Sequence, residues 1–164
     1  MVLAAGRGER MRPLTDNVPK PLLTVGGKPL IVYHLEKLSR LGIKQVVINL
    51  AWLGGQIRAA LGDGARWGLQ IHYSDEGEQA LETGGGIFQA LPLLGAQPFL
   101  VVNADVFTEF DFGAIRIAPE ALAQLVLVAN PMHHPRGDFV LANGRVQEQG
   151  GARWTYSGIG LYRP

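Results

Sequence analysis

A chain of 164 residues, 47% hydrophobic and 18% charged, suits one soluble domain with a sizeable core. Its net charge of +1 gives no bulk attraction to nucleic acid or to a membrane surface, and the absence of cysteine excludes disulfides and thiolate metal sites. No apolar run reaches the roughly 18 residues of a membrane span, and no charged-then-apolar leader opens the chain, so a cytoplasmic protein is expected.

Met1–Ala5 reads as a buried strand. Gly26–Gly42 reads as a helix, with Pro29 in its first turn, Gly42 at its cap, and Leu30, His34, Leu38 and Leu41 on one stripe. Gln45–Leu50 is a second strand, followed by a short helix around Gly55–Leu61. Leu69–Ser74 is a third strand, a helix runs from near Thr83 toward Leu91, and Pro98–Asp105 is a fourth strand. Near-continuous apolar strands alternating with helices predict an α/β fold with a Rossmann-like, mostly parallel sheet flanked by helices. From about Ala123 the rhythm changes: Gln124–Ala129 is a strand with no long helix after it. Asn143-Gly144 marks a hairpin within Gly137–Gln149, and Trp154–Tyr162 is a last strand. Residues 1–122 therefore read as a nucleotide-binding core, and 123–164 as a mixed or antiparallel portion of the same domain. No covering helix follows the last strand, so a C-terminally incomplete chain is expected.

Gly6-Arg7-Gly8 directly follows the first strand, with Arg10 and Arg12 close behind. In open α/β sheets the loops at the carboxyl ends of strands bind ligands. The dinucleotide fingerprint fails here because its third glycine position is Met11. The Walker pattern fails because Lys28 is followed by Pro29. What remains is a glycine-opened loop carrying Arg10, with Lys20 held between Pro19 and Pro21. Prolines on both sides stiffen the backbone and bias it toward extended conformations. A solvated basic loop needs neither the glycines nor the stiffened lysine, whereas a phosphate site uses both. Asp105, just past the fourth strand, stands at the same sheet edge; it is either a turn aspartate or a Mg²⁺ ligand.

The run LAAGRGERMRPLT (Leu3–Thr15) with PKPLL (Pro19–Leu23) resembles the signature of the sugar-1-phosphate nucleotidyltransferases, L-A-A-G-x-G-x-R-[ML]-x-P-[LT]-T followed by P-K-P-[LM]. HLEKLSRLG, AWLGGQI, ALETGGGIFQALPLLG and HHPRGDF are similar to the branch that activates N-acetylmuramate 1-phosphate with UTP in cell-wall recycling. The resemblance spans Val2 to Pro164, and the family continues for several tens of residues further. It implies a nucleoside triphosphate and a sugar 1-phosphate as partners and Mg²⁺ as cofactor. It also implies nucleotide contacts from Leu3, Ala4, Ala5, Gly6, Gly8, Glu9, Arg10 and Lys20, with Arg10, Lys20 and Asp105 as catalytic residues. Asp105 matches the family's metal aspartate, although Ala104 stands where a glycine is usual. The family's second metal aspartate lies in a W-x-D-x-G-T-type segment that this sequence lacks. Glu82, Gly84 and Gly85 match the stretch that sits on the base. Asn103 is a candidate contact to nucleotide or sugar, and Gly137, Asp138, Glu148, Ser157 and Gly158 are further sugar-side candidates. The adhesion tripeptide Arg136-Gly137-Asp138 has no export signal beside it, and His133 and His134 have no third ligand at metal-binding spacing. Uridine cannot be told from thymidine or guanosine by the residues themselves. GTP with mannose 1-phosphate remains an alternative pair, and a non-catalytic sugar-nucleotide-binding module an alternative class.

Overall fold

The computed structural model describes residues 1–164. Val2–Leu3 (β1), Gln45–Leu50 (β2), Gln70–Asp75 (β3) and Phe99–Asn103 (β4) lie parallel in the order β3-β2-β1-β4. Leu30–Arg40 (α1) and Gly54–Leu61 (α2) cover one face of these strands, where Ile31, Leu35, Ile57 and Leu61 pack on Val2, Val46, Ile48 and Leu50. Glu82–Leu94 (α3) covers the other face, where Ala90 meets Met1, Val47 and Val101. Neighbouring β2 residues thus enter opposite cores, which is why the strand reads as apolar throughout. Fully buried side chains such as Ile31, Ile48 and Ile57 each contribute roughly 1.5–3 kcal/mol of transfer free energy. No helix is long and apolar enough to cross a membrane.

The first helix differs from its sequence reading. Gly26 and Gly27, both at positive φ, turn a small hairpin between Thr24–Val25 and Lys28–Pro29, so α1 starts only at Leu30 with Pro29 as its cap. The buried stripe is accordingly Ile31, His34, Leu35 and Leu38. Leu41 falls outside the helix and is 42% exposed. Gly42 takes φ +78° just after the helix, as a terminating glycine does.

The remaining strands are Ala123–Val128 (β5), Phe139–Ala142 (β6), Arg145–Gln147 (β7) and Arg153–Tyr162 (β8). Positive φ at Asn143 and Gly144 closes the β6–β7 hairpin. β8 pairs antiparallel with β4 through Ile159–Tyr162, with β6 through Arg153–Trp154, and with β5 along its other edge. Its register with β5 slips between Tyr156 and Gly160, where Gly158 takes φ +79°. One continuous mixed sheet therefore carries the parallel and antiparallel parts. Its register places Leu3 of β1 level with Asn49 of β2 and Asn103 of β4.

Candidate active site

The loop after β1 is built around Gly8. At φ +70° it caps a single 3-10 turn, Glu9–Met11, closed by Met11 N donating to Gly8 O (2.9 Å). Buried Thr15 donates from Oγ1 to the same carbonyl at 2.9 Å. A Cβ at Gly8 would stand 3.0 Å from Thr15 Cγ2 and 3.1 Å from Lys20 Cβ, so the glycine lets loop and lysine close up. Lys20 is not extended as its flanking prolines suggest. It opens a 3-10 turn, Lys20–Leu22, capped by Pro19 and closed by Leu22 N donating to Pro19 O (2.8 Å). Pro21, inside that turn, is buried, so it fixes the lysine by packing as well as by its ring.

The loop borders a cleft of about 600 Å³ at the carboxyl ends of β1 and β4. Arg10, Lys20 and Asp105 all line it, together with Leu3, Ala4, Ala5, Gly6, Gly8 and Glu9. Glu82 and Asn103 line its far walls, whereas Gly84 and Gly85 lie outside the lining on α3. A Cβ on Gly85 would press to 2.8 Å from Leu81 Cβ, so its visible task is helix packing. Lys20 Nζ donates to Asp105 Oδ2 in a partly exposed ion pair. Arg10 makes no ion pair, while Arg12 turns to Asp16 (Nε–Oδ1 2.7 Å) and lies outside the lining. The three loop arginines, alike in sequence, thus have different places: Arg10 is unpaired in the cleft, Arg7 lies 3.8 Å over the Trp52 ring, and Arg12 is tied to an aspartate. Beneath the Asp105 turn, His34 is 3% exposed and stacks on Phe112 with ring centroids 6.3 Å apart. Burial lowers its pKa, outweighing the hydrogen bond to Val106 and the nearby Asp105 charge, and the neutral ring supports the turn.

The sugar-side candidates separate into those near the cleft and those away from it. Asn103 is in the wall, and Gly158 touches the cleft only through it: a Cβ there would stand 2.7 Å from Asn103 Nδ2. Ser157, one residue before Gly158 on the same bulge, has its Oγ buried and unpartnered. Gly137 and Asp138 lie outside the cleft lining. Asp138 accepts from Tyr156 N (2.8 Å) and pairs with His134 Nε2 (3.0 Å), so its carboxylate ties the 134–138 turn to β8. His134 is therefore a structural partner of Asp138. Gly137, at φ +61°, has Asn130 Oδ1 2.6 Å from where a Cβ would sit. Glu148 is exposed beyond the β6–β7 hairpin, outside the cleft lining, and its carbonyl accepts from Arg153 at 2.6 Å.

Among the cleft residues that escape a reading of the sequence are Arg7, Asn49 and Glu76. Asn49 Oδ1 accepts from Ala4 N at 2.7 Å, its Nδ2 donates to Glu76 Oε1 at 2.7 Å, and Glu76 Oε2 accepts from Leu81 N at 2.7 Å. Asn49 sits in an apolar strand, and only its polarity there could have signalled a role. The charges lining the cleft are Arg7, Arg10 and Lys20 against Glu9, Glu76, Glu82 and Asp105, three cations to four carboxylates. The pocket is therefore not the cationic basin that the glycine–arginine loop suggests, because acidic side chains converge on it from α3, the β3–α3 segment and the β4 turn.

The chain as a whole is similar to known proteins. A 57% identical relative, the N-acetylmuramate alpha-1-phosphate uridylyltransferase of Neisseria meningitidis serogroup B, aligns with the whole chain and 74% of its own length. The enzyme of the same name from Caulobacter vibrioides is 37% identical, with the same two coverages. Among solved structures, HddC from Yersinia pseudotuberculosis, complexed with GMP-PN, superposes with a TM-score of 0.80 at 23% identity, over 99% of this chain and 75% of that one. The family model described as nucleotidyl transferase matches residues 1–139, the stretch that contains the glycine loop, Lys20 and Asp105. With that match and a full-length alignment at 57% identity, the chain belongs to the nucleotidyl transferase family.

Proposed function

We propose that the chain transfers UMP from UTP to N-acetylmuramate 1-phosphate and releases pyrophosphate. The observation that carries this is the convergence of the glycine loop, Arg10, Lys20 and Asp105 on one cleft, in a chain 57% identical to an enzyme of that name. A phosphate oxygen of the sugar phosphate attacks the α-phosphorus. The bond from that phosphorus to the bridging oxygen breaks, and pyrophosphate leaves with its electron pair. No proton need move and no covalent enzyme intermediate forms. Catalysis reduces to holding two anions in line and neutralising charge as the leaving oxygens gain it.

Arg10 presents a planar fork to the triphosphate and Lys20 a point charge. Lys20 already lies in the cleft on its 3-10 turn, and exchanging Asp105 for a phosphate oxygen needs only movement of its side chain. The donor set fits Mg²⁺: the Asp105 carboxylate at the end of β4, with room in the cleft for phosphate oxygens and water. The count of four cleft carboxylates to three cations favours a nucleotide that arrives with a divalent ion. Asp105 would hold that ion, which when bound supplies charge neutralisation at the phosphates. Residues 1–122 hold the nucleotide, and Asn103, backed by Gly158 from residues 123–164, faces the sugar. The activated product belongs to the chemistry of cell-wall recycling in the cytoplasm.

The test is a panel of UTP, CTP, dTTP and GTP against N-acetylmuramate, N-acetylglucosamine, glucose and mannose 1-phosphates, read as pyrophosphate release. UTP with N-acetylmuramate 1-phosphate should give the highest kcat/KM. Equal or faster turnover of GTP with mannose 1-phosphate would overturn the substrate assignment. Tight UTP binding with no turnover in any pair would favour a binding module.

A further inference from the structure

The hydrogen bonds of Asn49 and Glu76 run in one direction. Both ends of the chain are backbone N–H groups, at Ala4 and Leu81, and a backbone amide can only donate. Asn49 is 3% exposed, and its orientation is fixed because Oδ1 must meet the Ala4 amide. Its Nδ2 must then donate to residue 76, which has to accept there and again from Leu81. Only a group with two accepting ends fits position 76, and a carboxylate is that group. Gly86 belongs to the same unit: a Cβ there would collide with Glu76 Oε1 and stand 2.9 Å from Asn49 Nδ2. Just beyond Leu81, Glu82 holds φ +60°, a left-handed backbone that a glutamate keeps only when its surroundings impose it.

Resting on the function proposed above, we propose that Asn49 and Glu76 are positioning residues. They form a polarity-matched relay that holds the cleft wall at 80–83 in register with the nucleotide loop at Ala4. Neither is assigned a contact with the reacting atoms. The relay ties the first residue after β1 to Leu81, the residue that caps α3, across β2, so the two walls of the cleft keep one spacing.

Polarity makes the relay testable by exchange. In Glu76→Gln the amide nitrogen must face either Asn49 Nδ2 or the Leu81 amide, donor against donor. In Asn49→Asp two carboxylates face each other. The double variant N49D/E76Q reverses the middle bond. Its carboxylate at position 49 accepts from Ala4 N and from the side-chain amide at position 76. The side-chain carbonyl at position 76 still accepts from Leu81 N, and the net charge is that of the wild type.

Each single variant should raise the nucleotide KM by about tenfold or more, with the sugar-phosphate KM changed less, and expose the Leu81 amide to faster hydrogen exchange. The double variant should return the nucleotide KM and the Leu81 exchange to within about threefold of wild type. Singles with wild-type nucleotide KM, or a double variant no better than the worse single, overturn the proposal. If both singles unfold, the double variant decides alone: folded with near-native nucleotide KM supports the relay, and anything else sinks it. Wild type measured alongside separates the two readings. An inactive wild type fails the proposed function and leaves Leu81 exchange to judge the relay, whereas an active wild type with unmoved variants fails the relay only.

Discussion

Replacing Asp105 with asparagine keeps the side-chain shape and removes one negative charge beside Lys20. In the structure these two groups form an ion pair, with side chains 22% and 34% exposed, so both remain in contact with solvent. A triphosphate entering without a divalent ion meets the Asp105 carboxylate as a like charge. At a separation of about 4 Å that repulsion is about 1 kcal/mol in a water-like dielectric. Releasing Lys20 from its partner adds up to about 1 kcal/mol more for a partly exposed pair. Together these correspond to about five- to thirtyfold tighter binding of metal-free UTP by Asp105→Asn. With Mg²⁺ present the order should reverse, because the wild type keeps a carboxylate for the ion and the variant does not. Titration calorimetry in EDTA and again in excess Mg²⁺ measures both limbs, with pyrophosphate release confirming loss of turnover in the variant. Weaker metal-free binding by Asp105→Asn would show that the carboxylate does not face the triphosphate, and the metal assignment would go with it.

Lys20→Ala should raise the UTP KM about ten- to a hundredfold through loss of a charged phosphate contact. Arg12→Ala, whose arginine is tied to Asp16 outside the cleft lining, should stay within about threefold; steady-state kinetics on the pair tests whether the cleft or mere loop charge binds the nucleotide. Gly158→Ala places a Cβ 2.7 Å from Asn103 Nδ2 at φ +79°. It should cost about 1–2 kcal/mol, a fall in Tm of roughly 2–8 °C, and raise the sugar-phosphate KM as Asn103 is displaced; an unchanged melt and KM would remove Gly158 from the site. Burial, then the hydrogen bond with Tyr162, raises the Tyr156 pKa above its ordinary value of 10.0, and burial raises that of Tyr73. The unfolded chain then holds fewer protons than the folded one above pH 10, so stability should drop as pH rises past that value. Melting curves from pH 8 to about 11 should show this, with a shallower fall in Tyr156→Phe.

How much could be read in advance depended on how local each signal is. The parallel strands, the Asn143-Gly144 hairpin and the terminating Gly42 are set by residues within a few positions of one another, and all are found in the structure. The glycine loop and Lys20 are also close in sequence, and resemblance brought Asp105 to them from 85 residues away. Misreadings arose where an intervening turn or a distant partner decides. The Gly26-Gly27 hairpin cost α1 its predicted first turn, and Pro21 packing made a 3-10 turn of an expected extended segment. Asp138 looked free for a ligand because its partners, His134 and Tyr156, are set by how β8 folds back. Asn49 and Glu76 were invisible because each is ordinary in its own segment, and only the three-dimensional pairing gives them a task.

That pairing bears on why so short a strand can carry so demanding a loop. β1 has two residues, too few to position the glycine turn unaided. Its neighbours do so instead: the register sets Leu3 between Asn49 and Asn103, and the two asparagines reach outward to different parts of the cleft. Asn49 binds the next residue, Ala4, and passes the constraint through Glu76 to the start of α3. Asn103 lies against Gly158 and so takes its position from the bulge in β8. Gly8 and Thr15 fix the far end of the loop against Lys20. Damage at any of these supports should therefore show in substrate affinity as well as in stability, since the two hydrophobic cores on the faces of the sheet contain none of these polar groups and cannot hold the loop in their place.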